Sequence, residues 1–266
     1  MDTSHFTSPA TAPAVHQVVR VAPTQWHALA DGQVVGRGDS TSRPDGRIFL
    51  SIDAWHRPVF DRLAAAMAAD LPDTLHTLVD ADDTELRSGW ERAGFVPGRR
   101  EWEYLVPTDP QLTGLDSVVP PGVAILSAGQ AEEEPLRALD RTIREEVEAT
   151  VGWHTMPAEV LPWPVGAPLP VDPANYTVAT VGGAYVGLAR LATRTRQARI
   201  GLIAVRADHR RRGIGRALLS HAMTALHQAG RPSARAEVHE ANAAALALLD
   251  GAGATRVGGN LELVRA

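Results

Sequence analysis

A chain of 266 residues that is 44% hydrophobic has material for two cores, and its net charge of −5 gives no reason to expect nucleic acid as a partner. The absence of cysteine excludes disulfides, thiol nucleophiles and cysteine-ligated zinc, and fits a cytoplasmic protein. No apolar run approaches the length of a membrane span, no H-x-x-x-H or H-E-x-x-H spacing suggests a metal, and no G-x-S-x-G elbow suggests a serine hydrolase.

In chain order, residues 1–14 are polar and small, without the basic start and apolar core of a secretory signal, and are expected to be a disordered tail. Apolar and polar residues then predict strands at Thr24–Leu29, Gln33–Asp39 and Arg47–Ile52, with turn signals at Asp31-Gly32 and Pro44-Asp45-Gly46. A helix is expected from His56 to Met67, a strand over Thr74–Val79, a helix over Glu85–Phe95 and a strand over Arg99–Val106. The proline- and glycine-rich residues 108–122 read as a linker, so the expected division is a first domain at 15–107 and a second at 123–266.

The second domain opens with a strand at Val123–Leu126 and an amphipathic helix at Glu132–Ala149 whose acidic start suits the helix dipole. An irregular proline-rich stretch follows from Gly152 to Pro173, then a hairpin of Asn175–Thr180 and Tyr185–Ala192. Next come a fully apolar strand, Ile200–Val205, the turn Arg210-Arg211-Arg212-Gly213-Ile214-Gly215, and a helix over Arg216–His227. A strand at Ala234–Val238, a helix at Ala243–Gly253 and a strand at Gly259–Val264 complete the chain.

The strand–glycine turn–helix segment carries the chemistry. Glycines at 213 and 215 allow close backbone approach, and the unpaired N–H groups that open the following helix, with its dipole, make a phosphate cradle. Arg210, Arg211, Arg212 and Arg216 surround it, which is what a pyrophosphate-bearing cofactor needs. The first glycine of the dinucleotide fingerprint G-x-G-x-x-G is missing, which weighs against a Rossmann site.

Arg210-x-x-Gly213-x-Gly215 after a strand resembles the acyl-CoA-binding loop of the Gcn5-related N-acetyltransferase (GNAT) family. Asn242, Ala245, Leu248 and Gly253 resemble the family's next helix at the right distance. The resemblance implies an α/β fold with a mixed, mostly antiparallel sheet flanked by helices, and a cofactor lying between Ile200–Val205 and Ala234–Val238. Backbone groups of Ile203, Ala204 and Val205 would then pair with the pantetheine arm, with the Val205 N–H donating to the thioester oxygen. Backbone N–H groups from Arg211 to Arg216 would hold the pyrophosphate, and Asn242 would cap the last helix and touch the cofactor. The donor implied is acetyl-CoA, with coenzyme A as product and no metal.

Direct transfer to an amine needs a base and commonly an acid. The family's usual tyrosine acid has Leu249 in its place, which leaves Tyr176 as an acid candidate or a thiolate that departs unaided. For the base, Glu237 and His239 share one face of a strand. Glu146, Trp153 and His154 fall where relatives form the acceptor pocket. The acceptor is read as a small-molecule amine, with the protein a monomer or homodimer; the alternatives are a protein or peptide amine, or a non-catalytic acyl-CoA sensor.

The first half repeats the pattern of the second: a His-Arg pair, a helix, a strand, a helix ending at glycine and a final strand. Pro58-Val59-Phe60 stands where the second half has its glycine turn, and proline and bulky residues cannot cradle a pyrophosphate. Residues 15–107 are therefore read as a degenerate, shortened GNAT-like domain in tandem with a catalytic one.

Overall fold

The computed structural model describes residues 17–43, 46–71, 74–115, 118–150, 152, 171–193 and 197–266. The expected tail at 1–14, and most of the irregular stretch after Gly152, lie outside the described residues. The chain forms two compact units, one of residues 1–100 with 259–266 and one of residues 101–258.

The first unit holds β1 (Gln17–Ala22), β2 (Gln25–Ala30), β3 (Gln33–Ser42), β4 (Ile48–Ala54), α1 (Arg57–Asp70), β5 (Leu75–Asp80) and α2 (Thr84–Arg92). Strands β1 to β4 form an antiparallel meander, and β4 runs parallel to β5. Strand β1 was not expected from the sequence. It is an edge strand none of whose residues is buried, so it lacks the buried alternation that marks a strand. Helix α1 packs Val59, Phe60, Leu63 and Met67 onto the sheet. Gly36 on β3 permits the approach, since a Cβ there would meet Val59 Cγ1 at 2.6 Å. Trp90 of α2 meets Phe60 and Phe95 edge-on and closes this core.

Two long strands cross between the units. Strand β6 (Val96–Pro107) leaves the first unit after Arg100, and residues 101–107 pair antiparallel with β11 (Ser233–His239) of the second. Strand β12 (Thr255–Arg265) leaves the second unit after Gly258, and residues 260–265 pair antiparallel with β5. Each repeat thus completes the other's sheet: Leu261 and Leu263 enter the first core, and Tyr104 and Val106 the second.

The second unit adds β7 (Val123–Leu126), α3 (Glu133–Thr150), β8 (Tyr176–Val181), β9 (Ala184–Ala192), β10 (Ala198–Val205), α4 (Ile214–Gln228) and α5 (Ala243–Asp250). Its strands lie in the order β6, β11, β10, β9, β8, β7, with the β10–β11 pair parallel. Leu136, Leu139 and Ile143 line the buried stripe of α3 against Val178 and Leu188, while Leu218 of α4 packs on Ala179, Val186 and Ala189. Alternate residues of β8 and β9 thus serve two helices on opposite faces of the sheet, giving a three-layer α/β arrangement. The segment read as a linker is docked where it is described: Leu115 is buried in the second core, and Thr108 Oγ1 donates to the Arg231 carbonyl.

Candidate active site

The β10–β11 ladder is short. Ala198 pairs with Ala234, Arg199 with Arg235 and Ile200 with Ala236, and there the parallel pairing ends, although β10 runs on to Val205 and β11 to His239. A register shift between Ile200 and Leu202 on the β9 side marks a bulge at Gly201, which bends β10 away from its neighbour. The backbone edge of β10 beyond the bulge therefore faces a wedge-shaped opening. A cavity of about 880 Å³ fills this wedge, lined by β10 from Ile200 to Val205, by β11 from Ala236 to His239, by α5 and by Ile143 and Val147 of α3.

At the far end of β10 the chain turns through Arg210–Gly213 into α4. Gly213 caps the helix in the left-handed conformation (φ 81°), which glycine adopts without strain. Gly215 is required for a different reason. A Cβ there would meet only Val205 Cγ2, at 3.9 Å, so the space in front of it belongs to the cavity and not to the protein's own packing. The first N–H groups of α4 open onto the same space, since the helical bonds begin with the Ala217 N–H donating to the Gly213 carbonyl. These features fit a long, flexible ligand with a pyrophosphate at one end.

By sequence, residues 142–253 match the Acetyltransferase (GNAT) family. The second unit carries a GNAT domain. No curated protein matches the chain by sequence. By structure the whole chain is similar to a GCN5-related N-acetyltransferase from Sphaerobacter thermophilus, at 17% identity and a TM-score of 0.63, covering 93% of this chain and 82% of that one. A tandem GNAT protein from the clavulanic acid biosynthesis pathway matches at 13% identity and a TM-score of 0.60 over 90% of this chain and 81% of that one. A GNAT-family acetyltransferase from Colwellia psychrerythraea matches at 13% identity and a TM-score of 0.57 over 91% and 85%. At these identities the likeness is one of fold: two GNAT folds in tandem.

The first GNAT fold keeps the splayed strands but not the cradle. Ile48, Phe49 and Leu50 pair parallel with Leu75, His76 and Thr77 before β4 and β5 separate, matching the three parallel pairs of β10 and β11. At the head of α1, however, Pro58 sits in the first turn, Val59 and Phe60 are core residues, and the His56 side chain makes no cap. Val59 and Phe60 are buried in the first turn of α1, where the first turn of α4 has Ile214 and Gly215.

In the second GNAT domain, the arginine cluster divides into struts and one available cation. Arg210 donates from Nε to the Val205 carbonyl at 3.0 Å and from Nη2 to Glu146 at 3.1 Å. Arg212 donates to the Asp208 carbonyl at 2.9 Å, and Arg216 reaches the carbonyls of Gly114 and Gly251. Arg211 lines the cavity, is exposed, and has no hydrogen bond or ion pair among the described residues. Ile203, Ala204 and Val205 line the wedge as expected, as does Asn242, whose Oδ1 caps α5 by accepting the Ala245 N–H at 3.1 Å.

The structure redistributes the catalytic candidates. Val205 lies beside Gly215, at the α4 end of the wedge, four residues or about 13 Å of extended strand from the bulge. Tyr176 does not line the cavity; it is buried among Leu136, Leu139 and Val178, and burial pushes its phenol pKa up. Glu146 is a clasp between α3 and the loop, accepting from Arg210 and from the Ala207 N–H at 2.8 Å. Glu237 and His239 do line the wedge together. Glu237 is ion-paired with Arg199, and His239 Nδ1 accepts the Ala241 N–H at 3.1 Å. Leu249, at the place of the family's tyrosine, is buried and lines the wedge. Trp153 and His154 lie outside the described residues. Among the described residues no group of side chains could hold a metal, and no helix is long and apolar enough to cross a membrane.

Proposed function

We propose that the second GNAT domain binds acetyl-CoA in the β10–β11 wedge and passes the acetyl group to the amine of a small molecule by direct attack. The observation that carries this reading is the open space in front of Gly215 at the head of α4, continuous with an unpaired strand edge that ends at the Gly201 bulge. N–H groups of Gly213 to Arg216, aided by the Arg211 side chain, hold the pyrophosphate, and the edge of Ile203–Val205 pairs with the pantetheine amides. When bound, the donor supplies a thioester, whose carbonyl carbon is the electrophile.

The place of the thioester follows from length. A pantetheine arm running from the cradle along β10 ends near the bulge, so the oxyanion donor is an N–H of Gly201 to Ile203 and not that of Val205. The apolar neighbours Ile143, Val147, Leu202 and Leu249 exclude water there and strengthen that hydrogen bond.

Of the two base candidates, the geometry favours Glu237. In a neutral His239, an Nδ1 that accepts from Ala241 leaves the proton on Nε2, so the ring offers the cleft a donor and not a base. Glu237, ion-paired with Arg199, presents a carboxylate to the wedge that can take a proton from the amine through water. With Leu249 in place of an acid, the thiolate leaves unaided or takes its proton from solvent.

The reading is tested by thiol release from acetyl-CoA, followed with a thiol-reactive dye over a panel of amines; a chain without cysteine contributes no background. Amine-dependent release supports transfer. Tight binding of coenzyme A with no release from any amine supports the second reading, an acyl-CoA sensor, which the missing tyrosine motivates.

A further inference from the structure

Arg190 lies on β9 directly opposite Leu202 of β10. Its side chain runs across the bulge: a Cβ at Gly201 would lie 3.8 Å from Arg190 Cδ and 3.9 Å from Cγ. Gly201 and Leu202 line the wedge where β10 and β11 part, so the aliphatic stem of Arg190, itself outside the lining, packs against the strand at the reactive end of the cavity. On the other side of Arg190, across the β8–β9 ladder, is Tyr176, with Asp140 and Arg144 of α3 close enough to act on its phenol.

The polar groups of this corner are unequally satisfied. Asp140 and Arg144 bind each other, Nε to Oδ2 at 2.6 Å. Arg190 is half-buried, and its side chain makes no hydrogen bond or ion pair among the described residues. Its guanidinium, on a stem that lies across from Leu202 and against Gly201, carries five donors in a planar fork that no protein group among the described residues takes up.

We propose that Arg190 is the specificity residue for the acceptor, and that the acceptor is an amine bearing a carboxylate, an amino acid with an apolar side chain or a compound of that class. The inference rests on acetyl transfer at the same cleft. Neighbouring strands stand about 4.8 Å apart, so a carboxylate on Arg190 leaves an amine a few bonds away over the bulge, where the thioester carbon would lie. Asp140 and Asp172 next to Tyr176 disfavour a dianion such as a phosphate monoester, while a single carboxylate matches the fork. Apolar Ile143, Val147 and Leu202 offer a surface for an apolar side chain.

The test uses matched pairs: leucine and leucinamide, phenylalanine and phenylalaninamide, β-alanine and β-alaninamide. Each is titrated by calorimetry into the full chain saturated with coenzyme A, and thiol release is followed in parallel. At least one acid is expected to bind about 10- to 100-fold tighter than its amide. Arg190→Gln should erase that difference with the affinity for coenzyme A unchanged, and Arg190→Lys, which keeps the charge but not the fork, should retain part of it. Retained coenzyme A affinity shows that each variant is folded. The proposal is overturned where no acid is preferred to its amide, or where the preference survives in Arg190→Gln. A chain that does not bind coenzyme A sinks the cleft reading and this one with it. An Arg190-dependent preference without thiol release upholds the acceptor site and counts against transfer of acetyl.

Discussion

Glu146 of α3 and Arg210 at the entrance to the cradle are joined by an ion pair at 3.1 Å, and the same carboxylate oxygen accepts the Ala207 N–H at 2.8 Å. One side chain thus ties the end of α3 to the turn that precedes α4. The pair is partly exposed, so its loss should cost less than about 1 kcal/mol of stability. Its larger effect falls on the shape of the cradle. Glu146→Ala is expected to raise the Kd for coenzyme A about three- to tenfold by calorimetry, with the acceptor KM unchanged, and Glu146→Gln, which can still accept from Ala207, should lie between. An acceptor KM that rises while coenzyme A binding holds would return Glu146 to the acceptor pocket.

Two glycines only two residues apart should respond in opposite ways. Gly213 is held at φ 81°, so Gly213→Ala forces an L residue into the left-handed region at about 1–2 kcal/mol, a loss visible as a melting temperature lowered by a few degrees. At Gly215 an alanine Cβ meets nothing closer than 3.9 Å and improves helix propensity, so Gly215→Ala should melt at or above the wild-type temperature. Gly215→Val, which projects further into the cavity, should weaken coenzyme A binding more than about 30-fold without unfolding the chain. Normal affinity in Gly215→Val would place the pyrophosphate elsewhere.

The buried tyrosine offers a check on the acid step. Burial is the leading cause that raises the Tyr176 pKa above 10.0, with Asp140 adding to it and Arg190 and Arg144 opposing. A neutral form held in the fold means that the unfolded chain loses its proton first as pH rises, so this contribution to stability is present below pH 10.0 and declines above it. Tyr176→Phe should flatten that alkaline decline in thermal melts. It should leave the pH profile of thiol release unchanged near neutrality, whereas a lost alkaline limb in the kinetics would restore Tyr176 as the acid.

Much of this site is legible in the sequence because backbone chemistry dictates it. The apolar run Ile200–Val205, the glycines at 213 and 215 and the Asn242 cap each constrain backbone conformation locally, and local constraints survive in one dimension. What a long side chain does is not local. Arg210, Arg212 and Arg216 read as phosphate ligands because they flank the cradle, yet each reaches a carbonyl or carboxylate of the protein, which for Arg210 and Arg216 lies far away in sequence. The same holds for Glu146 and for Arg190, whose closeness to Gly201 arises from a bulge between two strands. The exchange of β6 and β12 is likewise invisible, since a strand's periodicity states which face is buried and not against which sheet.

That exchange brings a buried carboxylate into the first unit. Glu262 of β12 accepts from Arg47 Nη1 at 2.8 Å and bonds His76 Nδ1 at 2.8 Å, with His76 stacked on Phe49. Burial alone would raise the Glu262 pKa, but the His76 hydrogen bond and the Arg47 charge outweigh it, and the net shift is downward from 4.5. A carboxylate whose pKa is lowered by folding adds stability that is present above 4.5 and is lost as pH falls through the lowered value. Glu262→Leu removes the carboxylate that half-buried Arg47 and buried His76 both bond, and should cost about 1–3 kcal/mol at pH 7 in denaturant titrations. The cost should shrink as the medium is acidified below 4.5, because the wild type then forfeits the same interaction. Ending the chain at Gly258 removes Glu262 together with the buried Leu261 and Leu263, so the first unit should lose its cooperative transition altogether. An unchanged first transition in that truncated chain would mean that β12 is not part of the first core.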